Sequence, residues 1–64
     1  MNAQSSLLQW LHDHPDYRAC SNRRGERWIV EIMNLDFLRV TIQFGQSYEQ
    51  ACRRVMENLR SRQL

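Results

Sequence analysis

Two hydrophobic periodicities alternate along the chain, and the points where one gives way to the other divide it into five segments. Between Ser6 and Pro15, Leu7, Leu8 and Leu11 recur at helical spacing with Trp10 beside them. Ser6-Leu7-Leu8-Gln9 has the S-x-x-Q spacing of a capping box. That predicts Ser6 as the N-cap and Met1 to Gln4 as a frayed end. Pro15 disfavours helical geometry at His14, so the helix stops after about two turns. From Asp16 to Asn22 the period becomes two, with Tyr17, Ala19 and Ser21 on one side and Arg18, Cys20 and Asn22 on the other. The small inward residues predict an edge strand, and Gly25 supplies positive φ for the turn Asn22-Arg23-Arg24-Gly25. Two further runs, Arg27 to Met33 and Phe37 to Phe44, are dense in β-branched and aromatic residues and are separated only by Asn34-Leu35-Asp36. They predict a hairpin.

After Gly45-Gln46 the helical period returns. Ser47-Tyr48-Glu49-Gln50 is a second capping box, and Tyr48, Ala51, Cys52, Val55 and Leu59 form an apolar stripe with Met56 at its edge. Glu49, Arg53, Glu57 and Arg60 point away, with Glu49 and Arg53 as an i,i+4 pair. Arg60 and Arg62 suit the negative end of the helix dipole. The expected fold is α+β in one domain spanning residues 1–64: a helix, a three-stranded antiparallel sheet, and a C-terminal helix packed on the sheet.

Strand alternation splits the hairpin into two faces. Trp28, Val30 and Ile32, with Leu38, Val40, Ile42 and Phe44, form a wholly apolar face that matches the stripe on the last helix. This is the expected core. The other face carries Ile29, Glu31 and Met33, then Phe37, Arg39, Thr41 and Gln43, with Arg18 and Cys20 from the first strand. It is too apolar for ordinary solvent and too polar for a core. Either the first helix crosses it, burying Leu8 or Trp10 against Ile29 and Met33, or both helices share the core face and this one is left for a partner.

Composition narrows the possibilities. Sixty-four residues permit one thin core, while 42% hydrophobic residues and six large aromatics favour a folded chain. No apolar run is long enough for a membrane span or a signal-peptide core, so a cytoplasmic protein is expected. Cys20 and Cys52, without export signals, are expected as free thiols. His12-Asp13-His14 has no third ligand at metal-site spacing, and there is no nucleophile elbow or Gly-rich phosphate loop. The expectation is therefore a non-enzymatic protein with no metal, cofactor or small-molecule substrate.

All nine basic residues are arginine, and the net charge is +2, which permits nucleic-acid binding without requiring it. Arg18, Arg23, Arg24, Arg27 and Arg39 cluster on the first strand, its turn and the hairpin. With Arg18 and Arg39 on the free face and Arg23 and Arg24 at its rim, interleaved with Glu31, Thr41 and Gln43, they form a patch suited to guanine edges and phosphates of double-stranded DNA. The same arginines could equally be solvated partners of Asp16, Glu26 and Glu31. An alternative use of the same face is a protein interface built on Ile29, Met33 and Phe37, in a homodimer or a small inhibitor or regulator of phage or mobile-element type.

Tyr17-Arg18, Arg24-Gly25-Glu26-Arg27-Trp28-Ile29-Val30-Glu31-Ile32, Leu38-Arg39-Val40 and Tyr48-Glu49-Gln50-Ala51 carry a resemblance over Tyr17 to about Arg60. This stretch resembles the DNA-binding domain of plant ethylene-response factors and the arm-binding domain of phage integrases. The resemblance implies a three-stranded sheet laid in the major groove, with Arg18, Glu31 and Arg39 contacting bases or phosphates. The sequence departs from that pattern at Arg24 and Thr41, where Trp is usual, and at Met33, where Arg is usual. The small-residue pattern after the third strand is also missing. The element order is also that of double-stranded-RNA-binding domains, but Ser47-Tyr48-Glu49-Gln50 lacks the basic cluster which that family places at the start of its last helix.

Overall fold

A computed structural model describes residues 2–62. It contains α1 (Ala3–Asp13), β1 (Tyr17–Arg24), β2 (Arg27–Asn34), β3 (Arg39–Gly45) and α2 (Tyr48–Ser61). The strands form one antiparallel sheet in the order β1-β2-β3. This is the expected α-β-β-β-α arrangement, with the C-terminal helix packed on the sheet. No helix among the described residues is long and apolar enough to cross a membrane.

The stripe on α2 supplies most of the core. Ala51, Cys52, Val55, Met56 and Leu59 are buried against Val30 and Ile32 of β2 and Leu7 of α1. Ser47 caps α2 by accepting from the Gln50 amide at 3.1 Å. The Gln50 side chain accepts instead from the Gln46 amide, at 2.7 Å, one residue before the position a capping box would use. Glu49 and Arg53 pair as expected, at 3.9 Å on a largely exposed surface, so the pair adds little stability.

The start of α1 differs from expectation. Asn2, not Ser6, is the N-cap, its side chain accepting from the Ser5 amide at 2.8 Å. Residues 2–4 are held, not frayed: the Glu49 carboxylate accepts from the Ala3 amide at 2.7 Å and the Gln4 amide at 3.3 Å. Met1 lies outside the described residues. A carboxylate at a helix N-terminus satisfies amides that have no partner within the helix, and here it comes from 46 residues along the chain. The far end of α1 behaves as read, with His14 as C-cap and its ring stacked on Trp10.

α1 packs on α2 and touches the sheet only near the start of β1, where Trp10 meets Tyr17 edge-on. Both helices therefore share one side of the sheet, and among the described residues the other side is bare.

β3 is the principal correction. Its expected parity put Leu38, Val40, Ile42 and Phe44 on the core face. The β2–β3 ladder has a bulge: Met33 pairs with Arg39, but Ile32 pairs with Thr41, and the shifted register continues to Trp28 with Gly45. Val40 is the extra residue and still packs on the core. One inserted residue reverses the faces of everything beyond it. Thr41, Gln43 and Gly45 thus face the helices, while Ile42 and Phe44 face outward. Leu38 precedes the strand and is exposed.

The register follows from how closely α2 approaches the sheet. A Cβ at position 45 would lie 2.6 Å from the Ala51 nitrogen, so only glycine fits under the first turn of α2. Had Phe44 occupied that side, the helix could not have descended. The Asn34–Leu38 loop is set by the Asn34 side chain, which accepts from the amides of Asp36 (2.9 Å) and Leu38 (3.0 Å), and by Phe37 at φ 61°.

Candidate interaction surface

Cross-strand register lays out the bare face row by row. Nearest the β1–β2 turn, Arg24 pairs with Arg27. Next, Asn22, Ile29 and Phe44 stand side by side, then Cys20, Glu31 and Ile42, and finally Arg18, Met33 and Arg39. Ile29, Phe44 and Ile42 adjoin between the arginine rows, Met33 stands within the far arginine row, and Glu31 lies at the centre of the face. Ile29, Met33 and Ile42 are half-buried by their neighbours, and Phe44 is 41% exposed.

Two arginines are fixed around Phe44. The Arg27 guanidinium lies 5.9 Å from its ring centroid, and Arg54 of α2 donates Nη1 to its carbonyl oxygen at 2.6 Å. Together with Arg24, Glu26, Ile29, Gly45, Gln46 and Gln50 they border an open groove at the turn end of the sheet. At the opposite end the Arg39 Nε donates to the Glu31 carboxylate. Glu31 is only partly exposed, so this pair sits within the face.

The expected site residues separate into three groups. Arg18, Arg24, Arg27, Ile29, Glu31, Met33 and Arg39 lie on or at the ends of the bare face. Arg23 does not: it pairs with Trp28 on the helix side, its guanidinium 5.8 Å from the indole centroid and its Nε donating to the Gly25 carbonyl. Thr41 is 5% exposed on the helix side and receives the Gln43 amide at 2.9 Å, so it cannot touch a partner. Both errors are matters of strand parity, Arg23 from the turn position and Thr41 from the bulge. Phe37 lies in the β2–β3 loop, not in a strand, and is 77% exposed.

Three residues of the surface escaped sequence reasoning: Ile42, Phe44 and Arg54. The available signal is Gly45, since a glycine at a strand end marks close approach by another backbone as well as a break between elements. Counting back from Gly45 as a core-facing position gives the observed parity for Gln43 and Thr41.

Elsewhere the polar chemistry is structural. Among the described residues no three His, Cys, Asp or Glu side chains converge as metal ligands would. His14 is occupied at the end of α1, its Nδ1 2.8 Å from the Trp10 carbonyl oxygen. Both cysteines are free; Cys20 is exposed on the bare face and Cys52 is buried. Burial pushes the Cys52 thiol up from its ordinary value, opposed by a hydrogen bond with Tyr48 and reinforced by the Glu49 charge. A buried, protonated thiol is a poor nucleophile.

Comparison with known protein families, with curated proteins and with solved structures found no match. The class assignment therefore rests on the fold: a small α+β protein with two helices on one side of a three-stranded sheet and an uncovered opposite face.

Proposed function

We propose that the chain is a non-enzymatic binding module that engages another protein through the bare face of its sheet. The observation that carries this reading is the register of β3, which turns Ile42 and Phe44 outward beside Ile29 and Met33. Apolar side chains interleaved with arginines and one carboxylate, with Phe44 exposed among them, are the composition of a protein interface, and apolar groups left on an uncovered sheet face favour a partner.

The same register weakens the alternative of a sheet laid in the DNA major groove. That reading retains Arg18, Glu31 and Arg39 on one face. It loses Thr41 and Arg23 to the helix side, and the Arg39 guanidinium is engaged by Glu31. In place of Thr41 and Gln43 the face offers Ile42 and Phe44, which can meet a thymine methyl but cannot hydrogen-bond a base edge.

A photo-crosslinking residue placed at Ile42 in native cells, with a second placed at Glu57 on the outer side of α2, tests the proposal. The expected result is a discrete protein adduct from position 42 alone, abolished by Ile29→Asp. Titration with duplex DNA should show no binding at physiological salt. Tight, steeply salt-dependent DNA binding that is lost in an Arg18→Ala/Arg39→Ala variant would overturn the proposal in favour of the nucleic-acid reading.

A further inference from the structure

Resting on that reading of the bare face, we infer that the partner contributes an acidic segment, its carboxylates seated among Arg24, Arg27 and Arg54 and an apolar side chain lying on Ile29 and Phe44. The groove at the turn end of the sheet has three guanidinium groups on its border and a single carboxylate, Glu26. The ion pairs found among the described residues are Arg39 with Glu31 and Arg53 with Glu49, so none of the three groove arginines has a carboxylate partner there.

Two features suggest that the charge is arranged for an anion. Arg24 and Arg27 face each other directly across the two-residue Gly25-Glu26 turn. Like charges at directly opposed strand positions are unfavourable, and a bridging anion relieves them. Arg27 and Arg54 are also held around Phe44 by the ring contact and by the bond to its carbonyl. They are thus positioned before a ligand arrives, which lowers the ordering cost of binding. Arginine is the side chain whose planar fork matches a carboxylate bidentately.

Charge also disfavours a second copy of this chain as the occupant. In aligned face-to-face packing, parallel or antiparallel, the arginine rows at the two ends of one sheet would fall on arginine rows of the other. Pairing of two β1 edges about Ser21 would set Arg18 against Arg24. A polynucleotide would satisfy the guanidiniums but would lay phosphates over Ile29 and Phe44 and bring them toward Glu31. An acidic polypeptide with an apolar anchor satisfies the charged and the apolar parts together.

The test is selection from a random dodecapeptide display library on the immobilised chain, followed by fluorescence anisotropy with the selected peptides. The expected winners carry two or more Asp or Glu residues around a large apolar residue and bind more weakly as salt rises. Arg24→Gln/Arg27→Gln should weaken them ten-fold or more, as should Arg54→Gln, with folding of each variant checked by circular dichroism. Neutral or basic winners that ignore the arginine variants but lose binding in Phe44→Asp would overturn the acidic-partner inference and leave the interaction face standing. Winners indifferent to both sets of variants would overturn both.

Discussion

Gly45→Ala probes the contact that sets the whole surface. The added methyl would meet Ala51 N at 2.6 Å, Ser47 O at 3.0 Å and Ala51 Cα at 3.1 Å. All three are backbone atoms, so no rotamer change relieves them. Ordinary contact begins near 3.4 Å, and the first turn of α2 must therefore rise by most of an ångström or β3 must bend away. Either movement disturbs the bond from the Ala51 amide to the Ser47 carbonyl and loosens Ala51 and Cys52 from Val30. Overpacking of this kind costs about 1–3 kcal/mol, and an immobile backbone neighbour places it in the upper half of that range. Gly45 does not occupy the left-handed region, so alanine brings no φ penalty. The smaller entropy of the alanine unfolded chain offsets roughly 0.4–1 kcal/mol. A net loss of about 1.5 kcal/mol lowers the Tm of a domain this size by about 10 °C. Thermal unfolding followed by far-ultraviolet circular dichroism measures it. A Tm within about 2 °C of the parent would refute the close approach, and with it the reason given for the register of β3.

Other outcomes follow from the same contacts. Phe44→Ser should cost about 1 kcal/mol, from the Arg27 ring contact and strand propensity, whereas Leu59→Ala, in the core, should cost about 2–5 kcal/mol in urea unfolding. Phe37→Gly should stabilise the chain by about 1 kcal/mol, since it removes a left-handed non-glycine residue from an exposed loop. Glu49→Gln should cost about 1 kcal/mol and speed amide exchange at Ala3 and Gln4, whose N–H groups lose a charged acceptor. The raised Cys52 thiol holds its proton more tightly in the folded chain than in the unfolded one. Its contribution is complete below the unfolded value of about 9.0 and is lost as pH rises toward the higher folded value. As pH rises above about 9 the parent should therefore lose more Tm than Cys52→Ala does, and at pH 7 a thiol reagent should modify Cys20 alone.

Element order was legible because the period changes at each boundary, from helical to alternating at Pro15 and back after Gly45, even where the alternation itself is weak, as in β1. The stripe on α2 and the Trp28/Val30/Ile32 side of β2 were legible because each carries a strong period, and both lie where read. What the pattern did not reveal was long-range or depended on a single residue. Asn2 is itself a good N-cap residue, but it competes with the capping box at Ser6, and the Glu49 carboxylate that holds the first turn lies 46 residues away. The bulge at Val40 changes no residue type; it changes only which parity is inside. Ile42 and Phe44 look like core residues in a regular strand, and a hydrophobic pattern cannot distinguish an apolar face that meets a helix from one that meets a partner. Gly45 could distinguish them, because its missing Cβ identifies the side from which another backbone approaches.

The claim on which the surface depends is that Ile42 faces outward with Ile29 and Met33 while Val30 and Ile32 face the helices. Attenuation of methyl signals by a soluble gadolinium chelate reads this in one spectrum. The structure predicts that the Ile29, Met33 and Ile42 methyls broaden and that those of Val30 and Ile32 do not. An Ile42 methyl as protected as that of Ile32 would contradict the register and remove the interaction face built on it.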